Sequence, residues 1–145
     1  MTIEIIKGDL FSSGCKNLGH GVNVKGAMGA GIAVIFKKKF PNMFSEYKEL
    51  CRSEMLQPGS CSLHFCDEYK IFNLAIKNHW KDYAAYKHLF SSLMKMKDIA
   101  EEKEIKEIAL PLIGGGLGGL EKEKIISIKK DVFETSGISL KVYVL

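Results

Sequence analysis

Eleven of the 14 glycines in this 145-residue chain fall in two short windows, six between Gly14 and Gly31 and five between Gly114 and Gly119. The GAMGAG end of the first window follows a run that reads as a strand, Leu18 to Val24, the second window follows another, Ile105 to Leu110, and each precedes a helical pattern. Glycine allows left-handed backbone and lets a main chain approach another group without a Cβ collision. In open α/β sheets ligands bind beyond the carboxyl ends of the strands, where helix N-termini favour anions. The two windows therefore point to a phosphate-containing ligand held by backbone amides; tight turns and close helix–sheet packing are the other reading of each loop.

The remaining pattern alternates strands with helices. Thr2 to Ile6 reads as a strand, Ile32 to Phe36 opens a helix that stops before Pro41, and Met43 to Met55 reads as a second helix. Ser60 to Cys66 and Lys70 to Ile76 read as the strands of a hairpin, separated by Cys66-Asp67-Glu68-Tyr69. Tyr86, Leu89, Leu93, Met96 and Ala100 recur at helical spacing, which predicts a long helix from about Asp82. Ile125 to Phe133 reads as another helix and Leu140 to Leu145 as a closing strand. This order predicts one α/β domain over residues 1–145, a three-layer sandwich with a mixed central sheet between helices.

Composition narrows the partners. The formal charge is +4, with 46% hydrophobic and 26% charged residues, as in ordinary soluble domains. Arg52 is the sole arginine among 21 basic residues, which argues against a helix reading guanine in a DNA groove; Lys37 to Lys39 read as a solvated helix end. Cys15, Cys51, Cys61 and Cys66 include no C-x-x-C pair and no zinc-like set. The N-terminal residues do not follow the signal-peptide pattern, and no run approaches the ~18 apolar residues of a membrane span. Free thiols in a cytoplasmic protein, without a metal or a membrane, are the expectation.

Known phosphate motifs fit poorly. Gly114 to Gly119, GGGLGG, satisfies G-x-G-x-x-G after a strand and before a helix. A dinucleotide fold also wants an acidic residue about 20 positions on, at the end of the next strand, and SLKVYVL offers none. A P-loop needs G-K-[ST], where this chain has Gly119-Leu120-Glu121.

A different set of motifs does fit. KGDLF at Lys7 to Phe11, GHGVNVKGAMGAGIAVIFKKKFP at Gly19 to Pro41, FNLAIK at Phe72 to Lys77 and LPLIGGGLGGL at Leu110 to Leu120 resemble the macrodomains. The closest resemblance is to the branch of terminal ADP-ribose protein glycohydrolase and the DNA ADP-ribosyl glycohydrolase antitoxins, and it covers essentially the whole chain. It implies an ADP-ribose cleft, with ADP-ribose as ligand or product and no cofactor. Asp9 would accept from the adenine amino group, beside the Leu10 backbone. Asn23, Gly29, Ala30, Gly31 and Ile32 would wrap the distal ribose and a phosphate. Ile113, Gly114, Gly115, Gly116, Leu117 and Gly118 would hold the diphosphate.

The resemblance also places Lys77 where that branch carries its catalytic lysine. An amine near the C1″ carbon of the distal ribose can displace an ester-linked acceptor or capture the opened sugar as a Schiff base, and a second group must then move a proton. Protein-directed members carry an aspartate after GxGL for that purpose, and this chain has Gly118 there. Glu121 is the nearest acidic alternative, or simply a favourable charge on a helix N-terminus. His20, His64, His79 and His88 lack a Ser or Cys partner at a spacing that supports a triad and receive no assignment; Trp80 and Tyr83 either line the cleft or pack. Three functions stay open. One is removal of ADP-ribose from a protein carboxylate or nucleobase. The second is ADP-ribose binding without turnover. The third is hydrolysis of a small derivative such as the 1″-phosphate or an O-acetyl ester. Expected partners are ADP-ribose, an ADP-ribosylated protein or DNA, and a toxin or ADP-ribosyltransferase; a monomer is expected.

Overall fold

Alternating burial along the strands sorts their side chains onto two faces, and each face is covered by a pair of helices. The computed structural model describes residues 2–115 and 118–144. In chain order the elements are β1 (Thr2–Lys7), a 3-10 turn (Leu10–Ser12), β2 (Asn17–Asn23), α1 (Ile32–Lys39), α2 (Pro41–Arg52), β3 (Cys61–Cys66), β4 (Tyr69–Lys77), α3 (Tyr86–Glu102), β5 (Glu107–Pro111), α4 (Lys122–Phe133) and β6 (Ser139–Val144). The sheet order is β1-β6-β5-β2-β4-β3. Every neighbouring pair is parallel except β3 with β4, the predicted hairpin. The predicted three-layer α/β/α architecture with a mixed sheet is the observed one.

Leu18, Val22, Ile71, Ala75 and Ala109 face α1 and α2, where Phe36, Met43 and Tyr47 complete one core. Phe72, Leu74, Ile76, Ile108, Leu110 and Leu140 face α3 and α4 and pack on Leu89, Leu93, Met96, Ile125 and Phe133. Central β4 is buried from Ile71 through Ile76, the continuous apolar run expected of a strand covered on both sides.

Element boundaries shift where local chemistry intervenes. The second helix begins at Pro41 rather than Met43, because proline is pre-set for the first helical position. It ends at Arg52, before Glu54 takes a left-handed φ of 59°. The third helix begins at Tyr86 rather than near Asp82, since the Asp82 carboxylate accepts the His79 N–H at 3.0 Å and closes a turn. The second strand starts at Asn17, and the fifth starts at Glu107, after Glu104 adopts φ 59°.

Five parallel strands end on one edge of the sheet, and the loops that follow them meet there. Between β2 and β5 the ladder is registered at Leu18↔Ala109 alone, so the two strands carry no paired residues toward their carboxyl ends. That gap is the switch point, with β2 leading outward to β4 and β5 leading the other way to β6.

Two glycines of the first window serve packing. Gly19 and Gly21 present the α3–α4 face of β2, and a Cβ on Gly21 would stand 2.7 Å from Ile76 Cδ1 and 3.0 Å from Ile113 Cγ2. At Gly19 the nearest atoms are 3.5–3.6 Å away, ordinary contact. Gly21→Ala should therefore lower stability by about 1–2 kcal/mol through overpacking, while Gly19→Ala stays within about 0.5 kcal/mol. Urea denaturation midpoints of the two variants check the contrast.

Candidate functional site

The loop after β2 is built on Asn23. Its side chain is 5% exposed: Oδ1 accepts from Lys25 N at 2.9 Å, and Nδ2 donates to Ala27 O at 2.8 Å. From α2, the buried Tyr47 hydroxyl shares its proton between Asn23 O and Asn23 Oδ1, each at 2.9 Å. Burial pushes the Tyr47 phenol well above its ordinary range, so it stays a donor. Met28 is buried and anchors the loop, while Gly29, Ala30 and Gly31 are exposed and Ile32 is half-buried. Gly31 sits at the N-cap of α1 with φ 62° and ψ −148°, a conformation open to glycine, and no side chain caps the helix. Helix N-terminal amides without a side-chain acceptor are what an anion site requires.

The loop after β5 begins with two consecutive left-handed residues, Ile113 (φ 63°) and Gly114 (φ 86°). Ile113 is a β-branched residue in a region costly for it, and its side chain is buried against β2 and Ile76. Only its backbone is available to a ligand. Leu120 N donates back to Gly114 O at 2.8 Å and Gly118 N to Gly115 O at 3.0 Å, closing the loop on itself. Gly116 and Leu117 lie outside the described residues. On the opposite flank, Asp9 caps the 3-10 turn: Oδ1 accepts from Phe11 N at 3.0 Å and Oδ2 from Ser12 Oγ at 3.3 Å. The Asp9 carboxylate is exposed, so each oxygen keeps a free lone pair, whereas Leu10 is buried and offers backbone alone.

Lys77 is positioned by an irregularity in the ladder. The β2–β4 pairing runs one to one as far as Val22↔Ala75 and then slips, setting Asn23 opposite Lys77. The extra residue, Ile76, is a bulge of the kind that re-aims a strand end. Lys77 Nζ donates to Trp80 O at 3.2 Å, which folds the β4–α3 segment around the amine. That segment is then clamped to the second loop. Ala84 N donates to Gly118 O at 2.9 Å, Glu121 N donates to the Tyr86 hydroxyl at 2.9 Å, and the Tyr83 ring covers Gly119. On the other side Val24 N donates to Asn78 O at 3.1 Å. The segment that carries Lys77 thus touches both glycine loops. Trp80 is half exposed and stacks on His79 at 3.8 Å, and Tyr83 is 81% exposed.

No carboxylate occupies position 118, which is buried against Ala84. Glu121 is exposed and 3.8 Å from Lys124. Beside Asn78, a cavity of about 650 Å³ opens between the first loop and α2, with Lys25, Lys48, Arg52 and Gln57 in its wall. Sequence spacing carried no sign of it, because α2 contributes five of the twelve lining residues. Among the described residues no cluster of His, Cys, Asp and Glu could hold a metal ion, and no helix is long and apolar enough to cross a membrane.

The histidines separate by environment. His64 does have a serine partner, contrary to the expectation from spacing. Its Nε2 lies 2.7 Å from Ser62 Oγ and its Nδ1 lies 2.6 Å from Glu46 Oε1. Ser62 and His64 share a strand face at i and i+2, and Glu46 arrives from α2, so the sequence could not show the trio. It ties edge strand β3 to α2 at mid-sheet, away from the loops. His20 is fully buried, stacked on Phe36 at 3.8 Å and joined to Asn73 Oδ1 at 2.7 Å. Burial holds it neutral, pushed down to about 3. The unfolded chain therefore binds a proton that the native state refuses between about pH 6.5 and 3, and stability is lost as pH falls through that window. From pH 7 to pH 5 the wild-type chain should lose about 2 kcal/mol that His20→Leu does not lose, as read from urea titrations at both pH values.

Comparison with known proteins follows this geometry. A family model described as Macro domain matches residues 20–128. ADP-ribose glycohydrolase OARD1 of Homo sapiens is 33% identical, across 99% of this chain and 91% of its own length. The DNA ADP-ribosyl glycohydrolase of Thermus aquaticus is 27% identical, across 97% of this chain and 41% of its own. The solved structure of Thermosipho africanus DarTG in complex with ADP-ribose superposes with a TM-score of 0.89 at 25% identity, covering 99% of this chain and 42% of that one. This chain spans about two fifths of the length of those last two proteins. The sheet order, the two glycine loops at its open edge and the match over most of the sequence agree: the chain belongs to the Macro domain family.

Proposed function

We propose that this macrodomain hydrolyses the bond between ADP-ribose and a modified macromolecule, a protein carboxylate or a nucleobase, with Lys77 as the catalytic group. The observation that carries the reading is the placement of Lys77. A ladder bulge and the Trp80 carbonyl fix its amine on a segment tied to both glycine loops, whose backbone suits a diphosphate. ADP-ribose lies along the carboxyl edge of the sheet. Asp9 and the Leu10 amide take the adenine. Gly29, Ala30, Gly31 and Ile32 wrap the distal ribose and one phosphate, held from behind by Asn23. Ile113, Gly114, Gly115, Gly116, Leu117 and Gly118 surround the diphosphate, with the distal C1″ at Lys77. The acceptor occupies the cavity beside Asn78, whose wall carries Lys25, Lys48 and Arg52 together with Glu49 and Glu54 and suits a polar group. Such an enzyme presupposes an ADP-ribosyltransferase, a toxin among the candidates, that attaches the modification.

Gly118 favours a second reading. With no carboxylate beside Lys77, the chain binds ADP-ribose without turnover or acts on a small derivative whose release needs less proton transfer. ADP-ribose release from ADP-ribosylated protein, ADP-ribosylated DNA and O-acetyl-ADP-ribose separates these. The proposal expects release from one of the two macromolecules, reduced about 100-fold or more in Lys77→Ala, the scale of a lost acid–base or nucleophilic group. Binding of ADP-ribose with no release from any substrate overturns the enzymatic reading. Turnover that survives Lys77→Ala removes that residue from the mechanism.

Gly118→Asp tests the missing acid. A Cβ at this position meets Ala84 Cβ at 3.4 Å, ordinary contact, so a β-carbon is accommodated. It should raise release from a carboxylate-linked substrate about tenfold or more, measured under single-turnover conditions.

A further inference from the structure

Lys129, on α4, is fully buried, yet among the described residues no carboxylate pairs with it. Lysine is almost never found so deep without a counter-charge, because an ammonium group loses its hydration there. An apolar side chain of the same length would fill the space at lower cost, since replacing buried ions by well-packed hydrophobic residues is often neutral or stabilising. What the ammonium does have is two backbone acceptors, Pro111 O at 3.1 Å and Leu112 O at 2.5 Å. Pro111 is the last residue of β5 and Leu112 opens the second glycine loop. The next two residues are the left-handed pair Ile113 and Gly114, and strain of order 1–3 kcal/mol at such a residue persists only where its surroundings enforce it. The buried cation grips the chain at the two residues before that strain.

We propose that Lys129 is a positioning residue of the ligand site: it fixes the carbonyls at the root of the second loop so that the following amides face outward, and it sets one positive charge beneath the bound diphosphate, so that ligand affinity is coupled to its protonation. The inference rests on the assignment of that loop to the diphosphate of ADP-ribose. Burial pushes the Lys129 ammonium down to about 7 and is the cause of the shift. Charged side chains on the surrounding elements do not enter it: Glu123, Lys130 and Asp131 on α4, Lys97 and Glu101 on α3, Glu107 on β5 and Lys141 on β6. An anion bound above favours the charged form and raises its pKa. Binding then takes up a proton near neutrality and weakens as pH rises, while the diphosphate itself keeps its charge across the range.

Calorimetric titration of ADP-ribose into the protein at pH 6.5, 7.5 and 8.5, in buffers of different ionisation enthalpy, tests this, with Lys129→Met and His79→Gln in parallel. Wild-type affinity should fall about sixfold between pH 6.5 and 8.5, the effect of a one-unit rise in pKa on binding, with net proton uptake at pH 7.5. Lys129→Met should bind at pH 6.5 about tenfold more weakly than wild type, with a flat pH profile, and His79→Gln should keep the wild-type slope. A loop held merely by packing would move neither the profile nor the proton count. Wild-type binding that is flat with pH and takes up no protons overturns the inference, and it does so even if Lys129→Met fails to fold. A slope lost in His79→Gln assigns the linkage to His79 and overturns it too. Absence of ADP-ribose binding at every pH overturns the site assignment itself, and the inference with it.

Discussion

Backbone amides can face a ligand only when something else secures the carbonyls and loop ends around them, and in this molecule buried polar side chains do so. Under the first loop, Tyr47 and Asn23 form a closed set of hydrogen bonds that spans α2, the end of β2 and Ala27. Under the second, Lys129 grips the carbonyls of Pro111 and Leu112. Each brace comes from a helix on the opposite face of the sheet from the other, so both helical layers are coupled to the edge where the loops meet. The covering cores do more than stabilise the fold; they set the geometry of its open edge.

Between the braces, the glycines divide by task. Gly19 and Gly21 leave room for Ile76, Ile113 and Met96 on one face of β2, which lets the second loop close over the strand. Gly31 and Gly114 supply left-handed backbone where a helix starts and a loop turns. Gly29 and Gly31 have open space where a Cβ would stand, the condition a ligand needs in order to approach main chain. A single compositional excess thus reflects packing, turning and exposure at different positions.

The corner around Lys77 shows the same economy of means. A one-residue slip in the β2–β4 ladder, a carbonyl from Trp80 and the tie from Ala84 to Gly118 hold Lys77 on a segment joined to the second loop, with no ion pair to its amine among the described residues. Gly118 makes that tie through its main-chain carbonyl, and the space beside it leaves ordinary contact with Ala84.

Strand and helix periodicity, with glycine between them, was enough to read the layered sheet, its hairpin and the two glycine loops at its edge, because those signals are local: burial alternates with period two or 3.6 and turn residues mark the ends. That Asp9 and Gly118 follow strands and Lys77 ends one was likewise legible from motif order. Contacts between residues distant in the chain were not. Tyr47 reaches Asn23 from α2, His64 joins Ser62 to Glu46, and Lys129 looks in sequence like any lysine on an amphipathic helix. Whether such a group meets water, a counter-charge or a loop carbonyl depends on how the helices settle on the sheet. The amino-acid order determined where the backbone could turn and approach a ligand; the tertiary structure alone decided which buried side chains hold it there, since burial and hydrogen-bond partners exist only once the layers have packed.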